Sequence, residues 1–181
     1  MTRIYLIGYM GAGKTTLGKQ LASMLDVSFI DLDKYIESKY HKTIPDIFEE
    51  HGEEGFRLIE QSALKQVSEI ENVIISTGGG APCFFDNMDI MNKTGLTVYI
   101  KATPEELASR LRASKTVRPI VASKTDDELI PFIAEHLTER ELFYNKAHIP
   151  FLTEHLVSKE DIHLTVVRMA NVIKKWNYDV R

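Results

Sequence analysis

Residues 8–15 read Gly-Tyr-Met-Gly-Ala-Gly-Lys-Thr and fit G-x-x-x-x-G-K-[ST] without a mismatch. The chemistry of that pattern is phosphate binding. Gly8, Gly11 and Gly13 let backbone N–H groups curl round phosphate oxygens with no Cβ in the way. Lys14 reaches β- and γ-phosphates, and the Thr15 hydroxyl suits a bound Mg²⁺. A glycine-rich turn that merely opens a helix is the bland alternative. The apolar run Arg3–Ile7 before the loop and the helical pattern over 14–25 after it favour nucleoside triphosphate binding. A guanine-reading N-K-x-D is missing: Asn92-Lys93-Thr94-Gly95 has its first half but ends in glycine and precedes a strand, so it reads as a turn. A small-molecule kinase is the favoured class.

Other segments carry acceptor-side chemistry. Asp31-Leu32-Asp33 ends a second short strand, 28–32, where alternation places both carboxylates on one side. Phosphoryl transfer to an alcohol uses one carboxylate at the hydroxyl proton and another near Mg²⁺; a solvated strand end or a helix N-cap is the alternative. After a turn at Gly52–Gly55, Phe56-Arg57-x-x-Glu60 opens a helix, with Arg57 and Glu60 as i,i+3 neighbours. A planar guanidinium near Phe48 and Phe56 suits an anionic ring with hydroxyls; a surface ion pair is the alternative. Residues 41–60 hold six acids against Lys42 and Arg57, net −4, so an anionic substrate there needs a specific arginine. Gly78-Gly79-Gly80 follows a β-branched strand, 73–77, and implies close backbone approach with N–H donors exposed. Arg110, Arg112, Lys115 and Arg118 fall in nine residues without an acid. They read as a mobile basic lid over the triphosphate or as a solvated helix end.

These residues need a scaffold, and the elements alternate. Strands at 3–7, 28–32, 73–77, 97–101 and 149–153 are separated by helical patterns. Residues 35–50 form one such pattern, with a break or kink at Pro45. Another runs over 56–70, with Phe56, Ile59, Ala63, Val67 and Ile70 on one face. Thr103-Pro104-Glu105-Glu106 supplies an N-cap, a first-turn proline and a capping-box acid. Residues 126–145 are mostly helical, Pro150 confines the last strand to an edge, and Ile162, Val166, Met169, Ile173 and Trp176 form a core-facing stripe. The pattern predicts an α/β fold with right-handed βαβ units and a parallel sheet, its ligands beyond the strands' carboxyl ends.

Composition bounds the partners. The chain has 181 residues, 44% of them hydrophobic and 27% charged, one cysteine and a net charge of −4. That predicts one domain over 1–181 with no disulfide, no Cys-cluster zinc site and no general attraction to nucleic acid or membrane. The six histidines show no metal-ligand spacing, and Cys83 has no neighbouring base. The opening MTRIYLIGYMGAGK is too glycine-rich for a secretory signal. A cytoplasmic monomer is the expectation.

Taken together, GYMGAGKT (8–15), DLD (31–33), GEEGFRLIE (52–60), TGGG (77–80), TVRP (116–119) and RELFYNKA (140–147) closely resemble shikimate kinase over residues 3 to 150. Gluconate kinase and other relatives share the first motif but not the DxD, FRxxE and TGGG set. The resemblance implies a P-loop three-layer α/β/α fold with a five-stranded parallel sheet, an acceptor-binding helical segment at about 33–61 and a lid at about 112–125. It implies ATP as co-substrate, Mg²⁺ as cofactor, and transfer to the shikimate 3-hydroxyl in chorismate biosynthesis. Carried over residue by residue, ATP contacts fall on Gly11, Ala12, Gly13, Lys14, Thr15, Thr16, Arg112 and Arg118, with Arg110 open beside Arg112 as the adenine-stacking arginine. Asp33, Lys14 and Arg118 carry catalysis. Asp33, Arg57, Gly78, Gly79, Gly80, Arg140, Phe48 and Phe56 contact shikimate, and Thr15 and Asp31 hold the metal. Past residue 150 the likeness fades. Two rivals stand beside this reading, a kinase for another hydroxylated acid and a non-enzymatic ATP-binding switch.

Lys14→Ala is expected to abolish acceptor-dependent ADP release, and full turnover in that variant would remove the loop from the chemistry.

Overall fold

The computed structural model describes residues 2–114 and 125–179. Among them five strands form one parallel sheet: β1 (Arg3–Ile7), β2 (Ser28–Asp31), β3 (Val73–Ser76), β4 (Leu96–Lys101) and β5 (Ile149–Leu152), in the order β2-β3-β1-β4-β5. The expected α/β architecture holds. Central β1 pairs Leu6 with Ser76 of β3 and with Val98 of β4. Its residues Ile4–Ile7, like Val73–Ile75, are essentially free of solvent, which explains why these strands read as unbroken apolar runs rather than as alternation. β5 pairs only with β4, so Pro150 does stand on an edge.

Among the described residues seven α-helices connect and cover the strands: α1 (Lys14–Leu25), α2 (Leu32–Tyr40), α3 (Ile44–Val67), α4 (Asn87–Thr94), α5 (Pro104–Ala113), α6 (Asp126–Tyr144) and α7 (Lys159–Asp179). The step from β1 to β2 runs one way along the sheet, and the three later steps run the other way. Right-handed crossovers therefore put α1 on one face and the connecting helices α3 to α6 on the other. α7 packs back on α1, burying Val166, Met169 and Ile173 and partly covering Ile162 and Trp176. The C-terminal stripe is core, as its spacing predicts. Trp176 lies against His148, with ring centroids 5.3 Å apart.

Local boundaries show where sequence reasoning needs correction. The expected helix over 35–50 is two helices. α2 ends where His41 turns left-handed (φ 53), and Thr43 caps α3 in a reciprocal pair with Asp46. Pro45 is therefore a first-turn residue, a place that needs no N–H, rather than a kink. The break expected at Gly52–Gly55 is present but shorter: within α3 two helical stretches meet at a kink at the single non-helical residue Gly52 (φ 66, ψ −177). Ile70 lies beyond the helix and is exposed. The Asn92–Gly95 turn is the last turn of α4 and its cap. Asn92 donates to the Lys146 carbonyl at 2.9 Å and accepts from Thr97 Oγ1 at 2.6 Å, a structural role. The capping box at Thr103 and Glu106 starts α5 as expected. Of the lid segment, Lys115, Arg118 and the rest of 115–124 lie outside the described residues.

The kink at Gly52 matters for the site. In a straight helix, Phe48 and Phe56 would stand about 12 Å apart along the axis; here their rings stack at 4.2 Å. No neighbour lies within 4 Å of a Cβ placed on Gly52, so its dihedral alone demands glycine. Gly52→Ala is expected to cost about 1–3 kcal/mol, read as a lower urea midpoint. An unchanged midpoint would mean that the helix straightens without penalty.

Candidate active site

The phosphate loop joins β1 to α1, and Gly11 and Gly13 take positive φ values of 80 and 95. Gly13 stands at the N-terminus of α1, where backbone donors and the helix dipole favour an anion. Lys14 is nearly buried and turns back on its own loop, donating to the Gly8 and Tyr9 carbonyls at 2.8 and 2.9 Å. Ala12 is buried beneath the loop, whereas Thr16 is exposed. Thr15 Oγ1 donates to Asp31 Oδ2 at 2.8 Å, and Asp31 Oδ1 accepts the Lys34 N–H at 3.3 Å. Asp31 is thus both the N-cap of α2 and a partner of the loop.

Asp33 is not on the strand. It lies in the first turn of α2, so strand alternation is the wrong reason for grouping it with Asp31. The observation that places it is its approach to Gly78. A Cβ built on Gly78 would stand 3.0 Å from both Asp33 Oδ1 and Glu60 Oε1. The same test on Gly80 meets the Arg57 nitrogens at 2.8 and 2.9 Å. On Gly79 it meets Met10 N at 3.2 Å and Arg140 Nη1 at 3.5 Å. The three glycines are the surface on which α2, α3, α6 and the phosphate loop converge.

Arg57 is held on several sides. Nη1 donates to Glu60 Oε2 at 2.8 Å and Nη2 to Glu53 Oε1 at 3.3 Å. Its guanidinium carbon lies 4.1, 5.2 and 5.8 Å from the ring centroids of Phe84, Phe56 and Phe48. Its Nε is buried with no hydrogen-bond partner among the described residues, and so is Arg140 Nη1. Arg140 stands over the Tyr9 ring at 5.2 Å, and the Tyr144 hydroxyl donates to the Gly79 carbonyl. Two cations with unmet donors thus flank one glycine turn, with Asp33 beside them.

Arg110 and Arg112 separate sharply. Arg110 is half-buried, its Nη1 donating to the Ala12 carbonyl and to Thr153 Oγ1 at 3.4 Å each, while Arg112 is exposed at the end of α5. Arg118 is outside the described residues. Phe84, Tyr9 and Glu53 had no readable signal, since each gains its role only from tertiary proximity. No described group of three His, Cys, Asp or Glu could hold a metal. The Thr15 hydroxyl and Asp31 carboxylate offer two hard oxygens beside the loop, which suits Mg²⁺ that takes its other ligands from phosphate and water.

With this geometry in place, comparison decides the family. The shikimate kinase family model matches residues 10–171. The chain belongs to the shikimate kinase family. It is a phosphotransferase that uses ATP to phosphorylate a shikimate hydroxyl. It is 55% identical over 163 residues to the shikimate kinase of Parabacteroides distasonis, covering 90% of this chain and 94% of that one. A crystal structure of shikimate kinase from Bacteroides thetaiotaomicron superposes with a TM-score of 0.92 at 51% identity, covering 96% of this chain and 98% of that one. Shikimate kinase from Acinetobacter baumannii, solved in complex with shikimate, gives 0.81 at 31% identity, covering 97% and 94%. No described helix is long and apolar enough to cross a membrane.

Burial raises the Glu60 carboxyl to about 7, against the lowering pull of the Arg57 charge. An acid raised above its unfolded value favours the folded state most at low pH, and that advantage disappears as pH climbs through the folded value. Wild-type stability measured against Glu60→Gln is therefore expected to fall between about pH 4.5 and 7 and to level off above that. Parallel stability curves would place no titrating proton on Glu60.

Proposed function

We propose that the chain transfers the γ-phosphoryl group of ATP to the 3-hydroxyl of shikimate, giving 3-phosphoshikimate and ADP, a step toward chorismate. The observation that carries this reading is the pair of buried arginine donors, Arg57 Nε and Arg140 Nη1, without partners on the two sides of the Gly78–Gly80 turn. Two guanidinium groups suit a carboxylate, glycine N–H groups suit ring hydroxyls, and Asp33 suits an alcohol proton. Gly78 supplies clearance for Asp33, and Phe48 and Phe56 wall the acceptor pocket around Arg57.

The reaction divides among named groups. The acceptor oxygen bonds to the γ-phosphorus in line as the bond to the β–γ bridging oxygen breaks, and Asp33 takes the hydroxyl proton. Lys14 exchanges its carbonyl partners for β- and γ-phosphate oxygens, and loop N–H groups from Gly11 to Thr16 hold the triphosphate. Arg118, with Arg112 or Arg110 toward the adenine, belongs to the lid, proposed at about 112–125; the acceptor segment is proposed at about 33–61. Thr15 and Asp31 would hold Mg²⁺, which supplies neutralisation of phosphate charge. Positioning and electrostatics account for most of the rate. The reading also takes the chain as a cytoplasmic monomer of one domain.

Two substitutions test the acceptor site. Asp33→Asn is expected to lower kcat by roughly 10²- to 10⁴-fold with little change in the KM for ATP. Arg57→Lys keeps the charge but loses the planar fork, and should raise the KM for shikimate by roughly 10- to 100-fold. An unchanged shikimate KM in Arg57→Lys would overturn the acceptor-site assignment, and ADP release with gluconate in place of shikimate would overturn the substrate.

A further inference from the structure

Tyr9 occupies a variable position of the phosphate loop, where the pattern asks for nothing. Yet the residue is only 1% exposed, and its side chain packs toward α6. Its ring lies under the Arg140 guanidinium, 5.2 Å from centroid to carbon. Its hydroxyl pairs with His136 Nδ1 at 3.3 Å. His136 is one turn before Arg140 on α6, and its own ring lies 6.4 Å from Tyr9, edge-on. The Tyr9 carbonyl accepts the Lys14 ammonium at 2.9 Å. One residue thus touches the donor-side lysine through its backbone and the acceptor-side arginine through its side chain.

Arg140 has need of such support. The Tyr144 hydroxyl is a hydrogen-bond neighbour of the guanidinium, but Nη1 is buried without a hydrogen-bond partner among the described residues, so that edge of the plane is not held by hydrogen bonds. A planar cation is held in plane by an aromatic face beneath it, which leaves its edge donors aimed outward.

We propose that Tyr9 is a positioning residue for the acceptor: its ring fixes Arg140 so that the unmet donor faces the shikimate carboxylate. The proposal rests on the assignment of Arg140 to that carboxylate. It gives a side chain inside the nucleotide loop a role in acceptor affinity rather than nucleotide affinity. The Lys14 contact uses the Tyr9 carbonyl, which every substitution retains, so the two affinities separate on mutation.

The test compares Tyr9→Phe, which keeps the ring and drops the hydroxyl, with Tyr9→Leu, which drops the ring. Tyr9→Met fills the space without an aromatic face and serves if the leucine variant does not fold. Shikimate and ATP KM values and kcat are measured for each, together with Arg140→Ala and the double variant. Tyr9→Leu is expected to raise the shikimate KM by roughly 3- to 30-fold with the ATP KM within about twofold, whereas Tyr9→Phe stays near wild type. In the Arg140→Ala background the leucine change should add nothing further. An equal rise in both KM values, an unchanged shikimate KM, a loss in Tyr9→Phe matching that in Tyr9→Leu, or a full additional loss in the double variant would overturn the proposal. An Arg140→Ala variant with unchanged shikimate KM would instead overturn the Arg140 assignment itself.

Discussion

The site depends on an absence of side chains. At Gly78–Gly80 the backbone comes so close to its surroundings that a single added carbon would press on Asp33 and Glu60, on the Met10 amide, or on the Arg57 guanidinium. The strand before the turn is fully buried, so the turn cannot retreat from those neighbours without disturbing the sheet. Four chain segments far apart in sequence share one small surface as a result. The phosphate loop touches that turn through its backbone, which fixes how far the loop stands from Arg57 and Arg140.

Charge at this surface is arranged against the local average. Residues 41–60 carry a net −4, and long-range attraction would not bring an anion there. A largely buried cation stands there nonetheless. Arg57 is 12% exposed at its side chain, pairs with a carboxylate that is 1% exposed, and faces three aromatic rings. An ion pair removed from water gains little net stability over an apolar pair. What it supplies is a guanidinium with a fixed plane, which suits a carboxylate ligand.

Much of this was legible in the residues. The phosphate loop, the alternation of strands and helices, the edge position of Pro150 and the capping box at Thr103 all rest on local rules with short reach. The DxD, FRxxE and TGGG segments stand out as candidates by residue type, whereas the fold sets where each one points. Asp33 was placed by strand alternation, although the strand ends at Asp31 and a helix turn carries Asp33. The break near Pro45 was real, but a left-handed His41 makes it. The approach of Arg140 to the Tyr9 ring and the wall made by Phe84 arise from contacts between distant segments, and no window of sequence contains them. Arg110 and Arg112 are not ranked by spacing alone, because two residues along a helix point in different directions; Arg110 is seen to touch the loop.

The contact between Trp176 and His148 lies at the other end of the sheet, in a pocket of about 350 Å³ that includes Thr2, Arg3 and Leu96. Those residues begin strands β1 and β4, whereas the site forms where the strands finish. Trp176 is the sole tryptophan of the chain. Its indole emission is therefore a reporter of the docking of α7 onto the body of the protein, away from the phosphate loop. A change in that emission on adding ligand would signal movement carried along the length of the strands or through α1, on which α7 packs.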